Sequence, residues 1–416
     1  MNSLPGRYWR LWTAAGISNL GDGVFIIALP LLASRITDQP ASVALVAMFF
    51  SIPWLLFSVP VGALIDRSDR RRLLVITDMC RGALVGGLAL VAAFSDVRLW
   101  MLWVLAFGLG IGEVFFDNGS QAIIPSIVRD DQLERANGLL FTSEVAGSTF
   151  LGMPIGSALF GFAVWLPFGL DAASFVIAAM LAASLRGSFR VASSATEPAP
   201  AAPGRKQLIA EMREGVDWLR SHHVLRNLTI GVALINIALA ATQATFVLFA
   251  INELHISEHW FGPLMAIIGA GSLLAGIAGS YVVNKVGRRF TMLVAAITPV
   301  LTSLAIGLWP VTWWVILMTT AQAFTITIWS IVAVSLRQQL VPGQLFGRVN
   351  SVYRWVSTGV MPVGAVVGGL TADWFGLRAP YFIAAGLLLT AYGVVAVHLS
   401  TAELTKAENA VAAAAV

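Results

Sequence analysis

Six acidic residues sit in stretches of this 416-residue sequence that are otherwise nearly free of charge: Asp22, Asp78, Glu113, Asp117, Glu144 and Asp171. All six fall in the first half. An ionisable group inside a long apolar helix costs about 2.5–3.5 kcal/mol on membrane-insertion scales, so its retention points to a use. A carboxyl group with apolar walls can take up and release a proton near neutral pH. Asp22 and Glu113 lie near the middle of their stretches and are the first choices for that chemistry; for Asp22, a packing hydrogen bond with Asn19 is the structural alternative. Glu113 and Asp117 are four apart, on one helix face about a turn apart. Asp78 and Arg81 are three apart and read as an intrahelical ion pair, which removes two buried charges together. Glu144 can join this buried charge network or pair with a loop arginine. The apolar stretches of the second half hold only neutral polar groups, such as Asn236, Gln243 and Gln322.

Other chemistries lack their parts. Glu113 and Asp117 have no histidine nearby, and His222, His223, His255 and His259 lie in loops without metal-site spacing, so no metal site is expected. The single cysteine, Cys80, excludes a disulfide framework, a zinc cluster or an iron–sulfur site. Gly108, Gly110 and Gly112 fit G-x-G-x-G, but inside an apolar stretch with no preceding strand, which is not a dinucleotide loop. There is no G-x-S-x-G elbow, H-E-x-x-H or P-loop. An enzyme, an ATP-driven pump and a resident cofactor are therefore not expected.

The elements that position these residues follow from composition. The hydrophobic class makes up 57% of the chain and charged residues 12%, against about 45–50% and about 25% for a soluble domain. Too little charge remains to cover the surface of a water-soluble globule. A bilayer core of about 30 Å needs about 20 apolar residues per helix. Twelve stretches qualify: 11–34, 42–64, 73–95, 99–124, 137–162, 166–186, 228–251, 260–283, 290–309, 313–336, 350–373 and 379–399. They are continuously apolar rather than alternating, which excludes a membrane β-barrel. The expectation is an all-α membrane protein with twelve transmembrane helices, spans 1 to 12 below. The long connection 187–227 divides it into a six-helix bundle (1–186) and a second (228–399), with a tail at 400–416. The connection opens rich in Ser, Ala and Pro, then places Leu208, Met212, Val216 and Leu219 at helical spacing, predicting an amphipathic helix on the membrane surface.

Sidedness follows from the basic residues. With the N-terminus inside, only Arg35, Arg98 and Arg378 fall outside, only Arg81 and Arg354 fall within spans, and the other 21 of the 26 basic residues are cytoplasmic. Both termini are then cytoplasmic. The net charge of +4 reflects this sorting, not a nucleic-acid footprint. The halves also repeat. GALIDRSDRRR (62–72) follows span 2 and SYVVNKVGRRF (280–290) follows span 8; shifted by 218, Asp66 meets Asn284, Arg70 meets Arg288 and Arg71 meets Arg289. Parallel six-helix halves related by an axis along the membrane normal are a transporter architecture.

These residues carry a resemblance. Gly62, Leu64, Asp66, Arg67, Arg70 and Arg71 fit the loop 2–3 signature of the major facilitator superfamily, G-x-L-x-D-R-x-G-R-R/K, with Asp69 in place of its glycine; the second copy keeps that glycine as Gly287. Residues 115–139 and the central run LIAEMREGVDWLRSHHVLRNL resemble the macrolide- and siderophore-efflux branch. Span 5 carries Gly147, Gly152, Met153, Pro154, Gly156 and Ser157, which partly match the antiporter glycine–proline motif with the proline displaced by one.

The resemblance implies two pseudo-symmetric six-helix bundles, spans 1, 4, 7 and 10 around a central cavity, and export of amphipathic small molecules against inward proton flow. It places an inner latch at the loop 2–3 motif, where Asp66 would accept from the start of span 11 near Arg348 and Asn350. Asp22 and Glu113, with Asp117, Asn19, Asn236, Gln243 and Gln322, would serve proton coupling and the cavity. Pro154 with Gly156, and Pro362 with Gly364, would be hinges. A monomer in the inner membrane is expected, with a small-molecule substrate, protons and the bilayer as its partners. The rivals are a narrow exporter of an endogenous metabolite, such as a siderophore or lipid-like compound, and a channel or lipid scramblase.

Overall fold

A computed structural model describes residues 4–65, 68–123, 127–129, 132–184, 213–214, 216–341, 349, 352–353 and 355–396. Among these residues the secondary structure is helical, with no strand. Eleven helices are long and apolar enough to cross a membrane: Gly6–Ile36, Pro40–Ser58, Arg70–Phe94, Leu99–Gly119, Gly138–Phe162, Trp165–Ala183, Leu225–Glu253, Glu258–Gly279, Phe290–Leu308, Thr312–Ile331 and Trp355–Phe375. A shorter apolar helix, Ala379–Val395, follows. They answer the twelve expected stretches one for one. The cause is general: with no water in the hydrocarbon, backbone N–H and C=O groups must pair within the segment.

The chain forms two compact units, Met1–Ala199 with Val247–Ala266, and Pro200–Phe246 with Ile267–Val416. In the first, span 3 packs on span 6, span 4 on span 2, and span 1 on spans 5 and 6. At one end, the Tyr8 hydroxyl donates to the Ala136 carbonyl at 2.8 Å and Trp12 Nε1 to Leu139 O at 3.0 Å, tying span 1 to span 5. At the other end, Arg35 of span 1 grips the Glu258 carboxylate through two nitrogens and lies 4.5 Å over the Phe160 ring. Ser157 Oγ donates to the His259 carbonyl at 3.1 Å.

Span 5 is not one α-helix. Leu133–Glu144 is α-helical, Val145–Gly152 is π-helical, and Met153–Phe162 resumes the α form with Pro154 in its first turn. Proline has no N–H and its ring crowds the preceding turn, so a widened turn ahead of it relieves the clash. Met153 N–H reaches back five residues, to Ser148 O. In span 11, Pro362 likewise stands in the first turn of the helix Met361–Phe375.

The two Met-Pro-x-Gly sites share their packing. A Cβ on Gly156 would lie 2.6 Å from the Val24 carbonyl oxygen, 2.8 Å from Val24 Cα and 2.6 Å from Ile27 Cγ2. A Cβ on Gly364 would collide with the Ile237 carbonyl oxygen and lie 3.0 Å from Ile237 Cα and 2.8 Å from Ala240 Cβ. Each glycine thus seats on the backbone of one residue and the side chain three further on, in span 1 and in span 7 respectively. Small residues allow such close backbone approach, which drives helix association where lipid offers no hydrophobic advantage.

The departure at Asp69 also has a local reason. Asp69 has φ −70° and caps span 3, accepting from Arg71 N at 3.1 Å and Arg72 N at 3.3 Å. Gly287, its counterpart before span 9, has φ +90°, a conformation suited to glycine. One copy starts its helix with a side-chain cap and the other with a left-handed turn.

In the second unit, Asn227, Leu228 and their neighbours extend the helix His223–Leu248. The linker helix is placed differently from expectation. Leu219 is 8% exposed and packs with Leu225, Leu228, Trp329, Val349 and Val352, with Val216 and Trp218 alongside. Its described apolar face is covered by protein rather than by the membrane surface; Leu208 and Met212 lie outside the described residues.

Adding one methyl at either glycine seam forces two backbones apart, and overpacking of this kind costs about 1–3 kcal/mol. Gly156→Ala and Gly364→Ala are each expected to lower the melting temperature of the detergent-solubilised protein. Gly87→Ala and Gly386→Ala, where a Cβ meets nothing within 4 Å, are expected to leave it unchanged or raise it. Equal melting temperatures for all four variants would disprove the seams.

Candidate functional site

Three helices of the first unit bring charge together. Arg81 projects from span 3 and its Nη2 donates to Asp22 Oδ1 of span 1 at 2.9 Å and to Glu113 Oε2 of span 4 at 2.6 Å. The arginine reaches across because span 4 carries Gly112 there: a Cβ at that position would lie 2.7 Å from Arg81 Cγ. The guanidinium carbon stands 4.3 Å over the Phe175 ring of span 6 and 5.4 Å over that of Phe116. A desolvated guanidinium over an aromatic face is attracted by the ring quadrupole.

Exposure separates the partners. The Arg81 side chain is 4% exposed, Asp22 21% and Glu113 33%. The cation is walled in by helices while both acids keep an open side. With both acids ionised the trio carries one net negative charge, and one proton or one cationic group neutralises it. In a low-dielectric setting such a difference is large.

The expected intrahelical pair is corrected by this geometry. Arg81 turns away from Asp78 toward two neighbouring helices, and Asp78, 1% exposed, keeps Oδ1 without a hydrogen-bond partner among the described residues. A long arginine chain reaches further than the one-turn spacing that suggested the pair. Asp22 accepts from Ser18 Oγ at 3.5 Å, in place of the considered bond to Asn19, whose Cβ faces Gly147. Asp117 is half-buried one turn along span 4, and Glu144, exposed at the end of the α-helical part of span 5, lies within electrostatic range of Asp117 and Glu113.

Asp171 was legible only as one more acid in an apolar stretch. It is fully buried, accepts from Ser174 Oγ at 3.3 Å, lies where a Cβ on Gly21 would touch its Oδ1 at 2.5 Å, and acts electrostatically on Arg81. In the second unit Asn236 donates to the Ser357 carbonyl at 2.7 Å, and Gln322 to Ser303 Oγ at 2.9 Å and Pro299 O at 3.4 Å. Their amides tie helices together, whereas Gln243 is exposed. Of the loop 2–3 motif, Gly62 lies in the helix Pro40–Ile65 and Arg70 and Arg71 open span 3. Asp66, Arg67, Arg348, Asn350 and Arg354 lie outside the described residues.

Comparison with known proteins fits this architecture. The Major Facilitator Superfamily pattern matches residues 11–353 and, in a second alignment, 228–414. The chain belongs to the major facilitator superfamily. It is therefore a multi-pass membrane transporter rather than an enzyme. It is 23% identical over 404 residues to macrolide efflux protein A of Streptococcus pyogenes, covering 95% of this chain and 96% of that one. It is 25% identical over 409 residues to the multidrug efflux pump Tap of Mycolicibacterium fortuitum, covering 96% and 97%. Among solved structures, the nucleoside transporter NupG superposes with a TM-score of 0.77 at 13% identity, over 94% of this chain and 99% of that chain. These relatives fit a drug-efflux transporter of the superfamily.

Removing one partner of a buried ion pair leaves the other uncompensated and costs about 3–5 kcal/mol when fully buried, less for half-open acids such as these. Arg81→Met is expected to reduce the yield of folded protein markedly. Combining it with Asp22→Asn and Glu113→Gln is expected to recover part of that yield, because the two carboxylates bonded to Arg81 are then neutral as well. Size-exclusion profiles of the single and triple variants check this; a triple variant no better than Arg81→Met alone would show that the three residues are not energetically coupled.

Proposed function

We propose that this transporter is a proton-coupled exporter of amphipathic small molecules, often cationic, and that it works by alternating access. The observation that carries the reading is the single Arg81 nitrogen shared by Asp22 and Glu113, with the cation sealed and the acids partly open. A proton on either acid, or a cationic substrate beside them, neutralises the same excess charge. The two then exclude one another, which couples their flows. The names of the relatives supply macrolides and chemically varied drugs as the first compounds to test.

On this reading Asp117 and Glu144 adjust the field at the trio, while the neutral second half shapes the substrate side. Pro154 with Gly156 and Pro362 with Gly364 act as hinges where each bundle's helix already breaks. Asp66 and Arg67, with Arg70 and Arg71, latch the inner side when the outer side is open. The positive-inside sorting supports a bacterial inner-membrane protein with both termini cytoplasmic, and no second copy is invoked.

The test is proton movement in liposomes with an imposed pH gradient and a pH-sensitive dye. Wild type is expected to move protons when a macrolide or another amphipathic compound is added, and Asp22→Asn or Glu113→Gln to reduce this by about two orders of magnitude, as for loss of a positioned proton carrier. Unchanged activity in both variants would move the coupling site elsewhere. Protons moved by one endogenous metabolite alone would mean a narrow exporter. Collapse of the gradient without added compound would mean a channel.

A further inference from the structure

One face of span 3 turns apolar side chains outward. Ile76, Cys80 and Leu84 are exposed, and with Arg72 they recur every four residues, so they share one stripe of the helix. The stripe does not lie on a smooth surface. It forms one wall of an open cleft of about 580 Å³, with Ile111 and Phe115 of span 4 on the other wall. At membrane depth the solvent of such a stripe is the lipid acyl chain.

The accessible polar groups of the cleft gather at one end, where Ser68, Asp69 and Arg72 line its mouth; Thr77 and Arg81, further along, are buried. Two of the three mouth side chains are already engaged. Asp69 accepts from the Arg71 and Arg72 N–H groups, and Ser68 Oγ donates to Leu64 O at 2.8 Å. The Arg72 guanidinium is exposed and makes no hydrogen bond or ion pair among the described residues. From Arg72 to Leu84 is twelve residues, about 18 Å at the α-helical rise. One leaflet of a bilayer core of about 30 Å is about 15 Å deep.

We infer that the cleft between spans 3 and 4 binds one anionic phospholipid, with its phosphate on Arg72 and one acyl chain lying along Ile76 and Leu84. The site goes beyond the coupling reading and does not depend on it; only its assignment to the cytoplasmic leaflet rests on the sidedness proposed above. Three observations meet in it. The cleft is as long as one leaflet's hydrocarbon, and its walls are apolar. A guanidinium suits a phosphate, whose oxygens accept two parallel N–H bonds. Arg70, Arg71 and Arg72 open span 3 beside the single acid Asp69, and this excess positive charge favours a headgroup that carries no ammonium. A free phosphate would use the mouth and leave the apolar walls bare. An apolar drug would use the walls and leave Arg72 unanswered. A phospholipid uses both.

Cys80 reads the site out, because it is the sole cysteine and lines the cleft between Arg72 and Leu84. The full chain in a mild detergent would be labelled with an apolar maleimide while a phospholipid is titrated in; Cys80→Ser gives the background. Dioleoyl phosphatidylglycerol is expected to halve the labelling rate at about one fifth of the mole fraction that dioleoyl phosphatidylcholine needs, the preference that one arginine near a charged headgroup gives. Arg72→Gln is expected to remove most of that preference, and glycerol 3-phosphate to give no protection. Equal protection by the two lipids in wild type, or a preference unchanged in Arg72→Gln, would reduce the cleft to ordinary lipid-facing surface and overturn the site. Protection by glycerol 3-phosphate would mean a free-phosphate site at the mouth. Protection by a macrolide but by neither lipid would give the cleft to substrate, and no protection by any of them would leave it without a ligand; each overturns the proposal. None of these arms measures proton movement, so the site and the coupling reading fail separately.

Discussion

The constraint on which this structure turns is one guanidinium held in a low-dielectric interior. Arg81 cannot lose its charge at any physiological pH, so the fold must supply compensating charge, aromatic faces and acceptors around it. Asp22 and Glu113 supply the first and Phe175 the second. Spans 1, 3 and 4 are thereby held in one relative register, since sliding any of them by a turn would move a carboxylate by about 5 Å. The absence of a side chain at Gly112 is part of the same arrangement, because it gives the arginine stem its path.

The two units solve their packing alike and their electrostatics differently. Gly156 on Val24 and Gly364 on Ile237 are the same seam, down to the second contact three residues on. Carrying that equivalence along span 1 by two residues sets Asp22 against Ile235 in span 7. Backbone approach depends only on small residues on one helix face, so it survives when charge on another face is exchanged for an aliphatic chain. Among the polar groups of the second unit, Asn236 and Gln322 serve helix-to-helix hydrogen bonds. A chain can in this way keep a symmetric frame while its buried charged side chains, among the described residues, fall in one half.

Glycine and proline were legible as types but not in their consequences. Pro154 announced an irregularity in span 5, and the structure answers with a π-helical segment from Val145 to Gly152 rather than a bend alone. Asp69 read as a defect in the loop motif, yet it caps span 3 at a φ of −70°, while Gly287 keeps the positive φ of the other copy. The amphipathic linker pattern named the apolar face correctly at Val216 and Leu219, but periodicity cannot say whether protein or membrane covers that face; the Trp329 and Val349 cluster does.

Taken alone, the sequence determined the helical membrane class, the twelve spans, the sorting of basic residues and the acids worth attention. These are one-body properties: the cost of apolar surface in water, of backbone polar groups in lipid and of a charge in either is set residue by residue. Which acid meets which base was decided only in three dimensions. Sequence spacing offered Asp78 to Arg81 because they share a helix, whereas the long arginine side chain found Asp22, 59 residues away, and Glu113, 32 away, on packed neighbours. The same holds for Asp171, which became part of the charged cluster only when span 6 came against spans 1 and 3. Pairing is a two-body property, and its partners are fixed by helix packing that no local pattern encodes.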